Sequence, residues 1–107
     1  NVKVSAHLYI KRDGTIIQFV PFNKCAWHAG ESIFKGRKNC NEFSIGIEIQ
    51  GKVDEEYTRE QYENLKKIVD ALQKYFQIDD VVAHSEISPE RKKDPGPLFD
   101  WSKLDEN

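Results

Sequence analysis

The first part of the chain alternates between apolar and polar positions. Apolar side chains occupy every second position from Val4 to Ile10, so residues 4–11 are predicted to form a half-buried strand. Asp13-Gly14 is a strong tight-turn signal, and residues 15–20 beyond it are rich in β-branched and aromatic side chains. The two segments predict a β-hairpin that ends at Pro21, because a proline cannot donate a hydrogen bond to the strand ladder.

A second alternating segment covers residues 43–50 and predicts a buried strand. One face carries a phenylalanine and three isoleucines, and the other face carries Gly46 and Glu48. A glutamate is unusual in such a strand, because an unpaired buried carboxylate is costly. Gly46 leaves space beside Glu48 on the same face, which suggests that this face forms the floor of a pocket.

The clearest helical pattern runs over residues 58–76. Thr58 and Gln61 fit a capping box at its start. Apolar residues then recur at helical spacing on one stripe, namely Tyr62, Leu65, Ile68, Val69, Leu72 and Phe76. The opposite face is charged and is interpreted as solvated surface. Residues 81–83 are predicted to be a short apolar strand, and residues 85–97 a loop stiffened by three prolines.

This order of elements is typical of a helix that packs on a mixed sheet. We therefore predict an α/β fold with α+β character, in which helices flank a mixed central β-sheet. The chain has 107 residues, enough for one domain and too few for two, so residues 1–107 are assigned to a single domain.

Composition narrows the functional classes. An apolar fraction of 38% with a net charge of −2 argues against disorder, and this charge balance lacks the basic surface of a nucleic-acid binder. No apolar run approaches the roughly 18 residues of a membrane span. Cys25 and Cys40 are too few for a disulfide scaffold. They could pair, but two reduced thiols in a cytoplasmic protein are the favoured interpretation.

Most of the side chains that could bind a metal or take part in catalysis lie in the C-terminal part of the chain. His84 follows a predicted strand, and strand ends are common ligand sites. Asp94 precedes Pro95, which favours an extended backbone there, and in such a run Lys92 points to the same side as Asp94. Imidazole and carboxylate groups are zinc ligands, a lysine could stabilise an oxyanion, and Glu48 could shuttle a proton. On spacing alone, a hydrogen-bonded core histidine and a turn-forming aspartate are the more ordinary interpretation.

Three stretches, in chain order, resemble AmpD-type N-acetylmuramoyl-L-alanine amidases: VSAHLYIKRDGTIIQFVPFNKCAWHAG, GRKNCNEFSIGIEIQG and AHSEISPERKKDPGPLFDW. The similarity covers nearly the whole chain and implies the fold of the amidases and peptidoglycan-recognition proteins. It also implies hydrolysis of the amide between the lactyl group of N-acetylmuramic acid, often in its 1,6-anhydro form, and L-alanine of the stem peptide. The expected partner is a muropeptide substrate, bound by a monomer in peptidoglycan recycling or degradation, with the bacterial cytoplasm as the expected location.

The resemblance assigns roles to individual residues. It implies that His84 and Asp94 are zinc ligands. Glu48 falls on the family's catalytic carboxylate, and Lys92 falls on the lysine assigned to transition-state stabilisation.

Three further positions are candidates for substrate binding. Trp27 matches a tryptophan that would pack against the sugar, and a core aromatic is an equally open interpretation. His28 beside it lines the groove or makes a structural hydrogen bond. Asn41 contacts substrate or caps a turn, and the turn is favoured. Trp27 and His28 lie in a long connection, and connections beyond about 12 to 15 residues are often functional.

The sequence departs from the family in one respect. The family's first zinc ligand is a histidine on an N-terminal strand, and this chain starts downstream of that position. His7 matches a family histidine that does not bind zinc and is interpreted as structural, with a substitute ligand as the minor alternative. We therefore expect an N-terminally incomplete amidase domain that binds zinc weakly.

Two other functions compete with the amidase. A non-catalytic module that binds muropeptides is the main alternative. A zinc peptidase of another class is disfavoured, because the one long predicted helix contains no His-Glu-x-x-His motif.

Overall fold

The computed structural model describes residues 6–23, 33–38, 40, 44–52, 54–88 and 93–105. Short strands precede one long helix, and two single-turn helices follow it. The strands are β1 (Leu8–Ile10), β2 (Ile16–Gln18), β3 (Ile33–Phe34), β4 (Arg37–Lys38) and β5 (Ile47–Ile49). The helices are α1 (Arg59–Phe76), α2 (His84–Ile87) and a 3₁₀ helix (Trp101–Leu104). None of the helices in these ranges is both long and apolar enough to cross a bilayer.

The predicted hairpin is confirmed. β1 and β2 pair in antiparallel orientation, with Ile10 opposite Ile16. The turn closes through a 2.8 Å hydrogen bond from the Gly14 amide to the Lys11 carbonyl, and Gly14 has a positive φ of 91°. The paired strands are shorter than the predicted segments, because regular pairing stops where Phe19 and Val20 both turn their amides toward one carbonyl, that of His7.

β5 completes a mixed sheet of order β2-β1-β5, in which β5 runs parallel to β1 and Glu48 lies opposite Tyr9. The predicted mixed sheet is therefore confirmed, but the prediction of a buried third strand is wrong. Ile47 and Ile49 are half-buried and Glu48 is exposed. The physical reason is that β1 is the one neighbour of β5 within the described ranges, and β5 borders an open cleft.

The helix α1 forms as its sequence predicts. Thr58 is the N-cap, and its side chain accepts a 3.1 Å hydrogen bond from the Gln61 amide while the Gln61 side chain accepts one of 2.9 Å from the Thr58 amide. Leu65 and Leu72 on the apolar stripe are buried. Leu65 belongs to the main core, together with Ile10, Tyr57 and Phe99.

Polar side chains also fasten α1 to the sheet. The Thr58 hydroxyl donates to the carbonyl of Arg12 at 2.7 Å, and the side-chain amide of Asn64 donates to the carbonyl of Gly14 at 2.7 Å. These contacts satisfy carbonyl groups in the turn between β1 and β2, so the N-terminal half of α1 has a fixed position against the hairpin.

The predicted strand over residues 81–83 is wrong. The backbone is extended at Ala83, but residues 81–83 join no strand ladder in the described part of the chain. The Glu86 carboxylate accepts a 3.2 Å hydrogen bond from the Ala83 amide, as a capping side chain does at the start of a helix. His84 is therefore the first residue of α2 and does not follow a strand end.

Candidate active site

His84 and Asp94 come together at the start of α2. The Nδ1 atom of His84 lies 3.3 Å from the Oδ2 atom of Asp94. The backbone supports this approach, because the Ser85 amide donates a 3.1 Å hydrogen bond to the Asp94 carbonyl. The His84 side chain is 18% exposed and that of Asp94 is 55% exposed, so the pair lies at the surface of the fold, open to a ligand.

The donor atoms of this pair fit a zinc ion. Two ligand atoms that each lie about 2.0 to 2.1 Å from a tetrahedral zinc are about 3.3 Å apart. The two atoms here have this separation, which is also that of a direct hydrogen bond between the two side chains. An imidazole nitrogen and a carboxylate oxygen are also suitable zinc ligands. In the described part of the chain, no third histidine, cysteine, aspartate or glutamate completes a metal-binding cluster with them.

A cleft of about 910 Å³ is lined by His84, Asp94 and Glu48, among other residues. Its volume lies within the range of small-molecule sites in proteins, about 300 to 1,000 Å³. Glu48 comes from β5, His84 from α2 and Asp94 from the turn after it, so three separate elements contribute acid-base or metal-binding groups. Gly46 and Ile47 also line the cleft, so residues from both faces of this segment border it, and the predicted pocket on the face of Gly46 and Glu48 is not distinguished.

His7 has a structural position. Its side chain is 1% exposed, and its Nδ1 atom accepts a 3.1 Å hydrogen bond from the Gly46 amide. The His7 amide donates in turn to the Gly46 carbonyl at 2.9 Å. These bonds fix the chain two residues before Glu48, which supports the structural interpretation over that of a substitute zinc ligand.

Tyr57 is a residue near the site that sequence reasoning missed. Its hydroxyl donates a 2.8 Å hydrogen bond to the carbonyl of Pro95, the residue after Asp94. Burial raises the pKa of Tyr57, and the negative charge of Asp94 raises it further. In the sequence Tyr57 is simply the residue before a helix cap, and its partner is 38 positions away. The available signal was chemical, since a buried tyrosine hydroxyl usually requires a partner.

Four of the predicted site residues lie outside the described ranges: Lys92, Trp27, His28 and Asn41. Cys25 lies outside them as well, whereas Cys40 is buried. The roles suggested for these four residues therefore stay predictions.

Comparison with known proteins identifies the class. The family model for N-acetylmuramoyl-L-alanine amidase matches residues 1–97, and the chain belongs to this family. The chain is 50% identical over 106 residues to the 1,6-anhydro-N-acetylmuramyl-L-alanine amidase AmpD of Enterobacter cloacae. That alignment covers 97% of this chain and 57% of the relative.

Solved structures give the same result for the fold. A crystal structure of an AmpD selenomethionine derivative matches with a TM-score of 0.91 and 50% identity, covering 95% of this chain and 58% of that one. The Escherichia coli amidase AmiD, in complex with the substrate anhydro-N-acetylmuramic acid-L-Ala-D-γ-Glu-L-Lys, matches with a TM-score of 0.92 and 32% identity. This second match covers 98% of this chain and 48% of AmiD. The chain therefore has the amidase fold and spans roughly half of the length of these relatives.

Proposed function

We propose that the natural protein containing this chain is a zinc-dependent amidase of peptidoglycan recycling in the bacterial cytoplasm. Its substrate is an anhydromuropeptide, and it cleaves the amide between the lactyl group of the sugar and L-alanine. The observation that carries the proposal is the pair of His84 and Asp94, 3.3 Å apart in a cleft that also contains Glu48. The names of the similar proteins support the same substrate class.

His84 and Asp94 would hold the zinc, with His84 as a neutral imidazole. When bound, zinc supplies a Lewis acid that polarises the substrate carbonyl and lowers the pKa of a water molecule. The partly covered position of His84 suits this task, because an imidazole that is 18% exposed keeps its orientation and still reaches the cleft. The hydrogen bond from Ser85 to the Asp94 carbonyl keeps the two ligands together.

Glu48 is the proposed general base and acid. Its carboxylate takes a proton from the attacking water and gives it to the nitrogen of L-alanine as the carbon–nitrogen bond breaks. The exposure of Glu48 agrees with this role, because a proton shuttle must reach both the water and the leaving amine. Lys92 is proposed to stabilise the negative charge that develops on the carbonyl oxygen.

The first experiment tests Glu48 in the natural full-length protein. Glu48→Gln keeps the size of the side chain and removes its basicity, so kcat for anhydromuropeptide hydrolysis should fall about 100-fold or more. Glu63→Gln, on an exposed position of α1, is the matched control and should retain the parent's kcat. Full activity of Glu48→Gln would remove Glu48 from the mechanism.

The second experiment tests the zinc pair. Elemental analysis after dialysis should give about one zinc per parent protein. His84→Ala and Asp94→Ala should each lose zinc and activity while they keep the parent's circular dichroism. Parent-like zinc content in both variants would overturn the ligand assignment. Binding of the muropeptide by the parent without any cleavage would support the alternative, a non-catalytic binding module.

A further inference from the structure

The backbone around Asp94 is fixed at two consecutive carbonyl groups. The Asp94 carbonyl accepts from the Ser85 amide at 3.1 Å, and the Pro95 carbonyl accepts from the Tyr57 hydroxyl at 2.8 Å. The first bond joins the turn to α2, which carries His84. The second joins the turn to the segment that enters α1. An aspartate has only one carbon between its backbone and its carboxyl group, so these two bonds restrict the positions that the carboxylate can take.

Tyr57 is itself held in one position. Its side chain is 9% exposed, and its ring packs edge-on against the ring of Phe99 with centroids 5.6 Å apart. Gly51 lies close to one edge of the ring, since a Cβ atom placed on Gly51 would be 3.1 Å from Cε1 of Tyr57. The next residue, Thr58, is the N-cap of α1 and fixes the backbone. These contacts restrict both the ring and the backbone of Tyr57, so its hydroxyl group has a fixed position.

We propose that Tyr57 is a positioning residue for Asp94. Its hydroxyl holds the Pro95 carbonyl so that the Asp94 carboxylate stays beside the imidazole of His84. This inference rests on the proposed function, in which Asp94 and His84 share a zinc ion. Some residues do not touch the metal but hold its ligands in place. Replacing such a residue commonly weakens metal binding.

Tyr62 provides a matched comparison in the same cluster. Its ring lies 6.3 Å from that of Tyr57 and 5.5 Å from that of Phe99. Its hydroxyl accepts a 2.9 Å hydrogen bond from the Asp100 amide and donates one of 3.5 Å to the Leu98 carbonyl, six and four residues after Asp94. Tyr57→Phe and Tyr62→Phe therefore remove the same atom from the same aromatic cluster, but only Tyr57 is bonded to the turn of Asp94 in the described part of the chain.

The experiment measures the zinc dissociation constant by competition with a chromogenic chelator, using the natural full-length protein and its two variants. Tyr57→Phe should weaken zinc binding about 10-fold, the lower end of the range for residues behind a metal ligand. Tyr62→Phe should stay within about 2-fold of the parent, because its bonds, with Leu98 and Asp100, lie farther from Asp94 along the loop than the bond of Tyr57 to Pro95. The absorption spectrum of the cobalt-substituted protein should change in Tyr57→Phe and match the parent in Tyr62→Phe. Thermal unfolding of both variants shows whether they remain folded.

The outcomes separate this inference from the function on which it rests. If the parent binds zinc through His84 and Asp94 but Tyr57→Phe matches the parent in affinity and cobalt spectrum, the positioning role is overturned and the amidase proposal stands. Equal weakening in both tyrosine variants would also overturn it, because the effect would then be a general loss of loop order. If His84→Ala leaves zinc binding unchanged, the zinc-ligand assignment in the proposed function is overturned, whatever the tyrosine variants do. Should Tyr57→Phe be unfolded under these conditions, both tyrosine variants are compared with the parent at a lower temperature at which they fold, and Tyr57→Phe alone should lose affinity.

Discussion

The side-chain amide of Gln61 donates a 2.8 Å hydrogen bond to the carbonyl of Gln50, the residue that follows β5. It also donates to the carbonyl of Ile10 at 3.3 Å, and its oxygen accepts from the Thr58 amide at 2.9 Å. One buried amide, 1% exposed, therefore links the first turn of α1 to both parallel strands. The ends of β1 and β5 are held at a common point two residues from Glu48.

Removing this amide should destabilise the protein strongly. Gln61→Ala leaves the Gln50 carbonyl and the Thr58 amide without this partner, whereas the Ile10 carbonyl keeps the 2.8 Å hydrogen bond that it accepts from the Gln50 amide. Each buried polar group left unsatisfied costs about 1 to 3 kcal/mol. The free energy of unfolding should therefore fall by about 3 kcal/mol, measured by urea denaturation. Gln73→Ala changes an exposed residue of the same helix and should stay within about 0.5 kcal/mol of the parent. Equal effects at the two positions would contradict the role of the Gln61 network.

Gly14 is a second point where the hairpin meets α1. A Cβ atom on Gly14 would lie 2.9 Å from both the Asn64 side-chain nitrogen and Glu60 Cβ, and its φ of +91° already disfavours other residues. Gly14→Ala should therefore cost about 3 kcal/mol, from backbone strain together with displacement of the helix. Gly36 has a similar φ of +80°, but no atom of the described ranges lies within 4 Å of a Cβ atom placed on it. Gly36→Ala should cost only the strain, about 1 kcal/mol. Thermal or urea unfolding of the pair isolates the steric contribution, and equal losses would exclude it.

The end of α1 offers a stabilising substitution. Gln77 follows the helix with φ 52° and ψ 47°, the left-handed conformation in which glycine is preferred. Gln77→Gly should therefore raise the free energy of unfolding by about 0.5 to 1 kcal/mol. The same substitution inside the helix, Gln73→Gly, should lower it by about 1 kcal/mol. Opposite signs in urea denaturation are the expected result, and a loss at both positions would contradict the left-handed cap.

The raised pKa of Tyr57 predicts that the free energy of unfolding falls at alkaline pH. Burial and the charge of Asp94 raise its pKa, so the neutral phenol is favoured in the folded protein. The contribution of the neutral Tyr57 side chain to the free energy of unfolding is fully present below about pH 10, the ordinary pKa of tyrosine. It is lost as the pH rises through the higher pKa of the folded state. The free energy of unfolding of Tyr57→Phe should therefore fall less steeply than that of the parent above about pH 10. Tyr75→Phe removes a hydroxyl from a residue that is 81% exposed and should follow the parent. Identical slopes for the parent and Tyr57→Phe would contradict the prediction.

The parts of the fold that sequence predicts well depend on neighbouring residues. The cap at Thr58, the apolar stripe of α1 and the turn at Gly14 are all signals within a few positions of one another. Residues 81–83 misled the prediction, because a three-residue apolar run carries no information about a strand partner. The capping contact from Glu86 decided that conformation instead.

In the candidate site, too, some features could be predicted from the sequence, and others depend on contacts between distant residues. The spacing of His84 and Asp94 was compatible with a metal site, but the resemblance to amidases carried the assignment, and the structure then placed the two residues 3.3 Å apart. The exposure of Glu48 was not foreseen, since alternation assigns a residue to a face but does not show what covers that face. The contact of Tyr57 with Pro95 was equally invisible, because it joins segments 38 positions apart.

The parallel pairing of β1 with β5 has a consequence for the order of folding. The hydrogen bond between Gly46 and His7 beside this pairing closes a loop of 39 residues, whereas the hairpin and α1 rely on contacts close in sequence. Closing a long loop costs entropy before its contacts can compensate, so we expect the hairpin and α1 to form first and β5 to join late. Glu48 would then join the lining of the cleft only in the last stage. During refolding, protection of the β5 amides from hydrogen exchange should therefore lag behind the recovery of helical circular dichroism, and the delay between the two signals measures the final step of assembly.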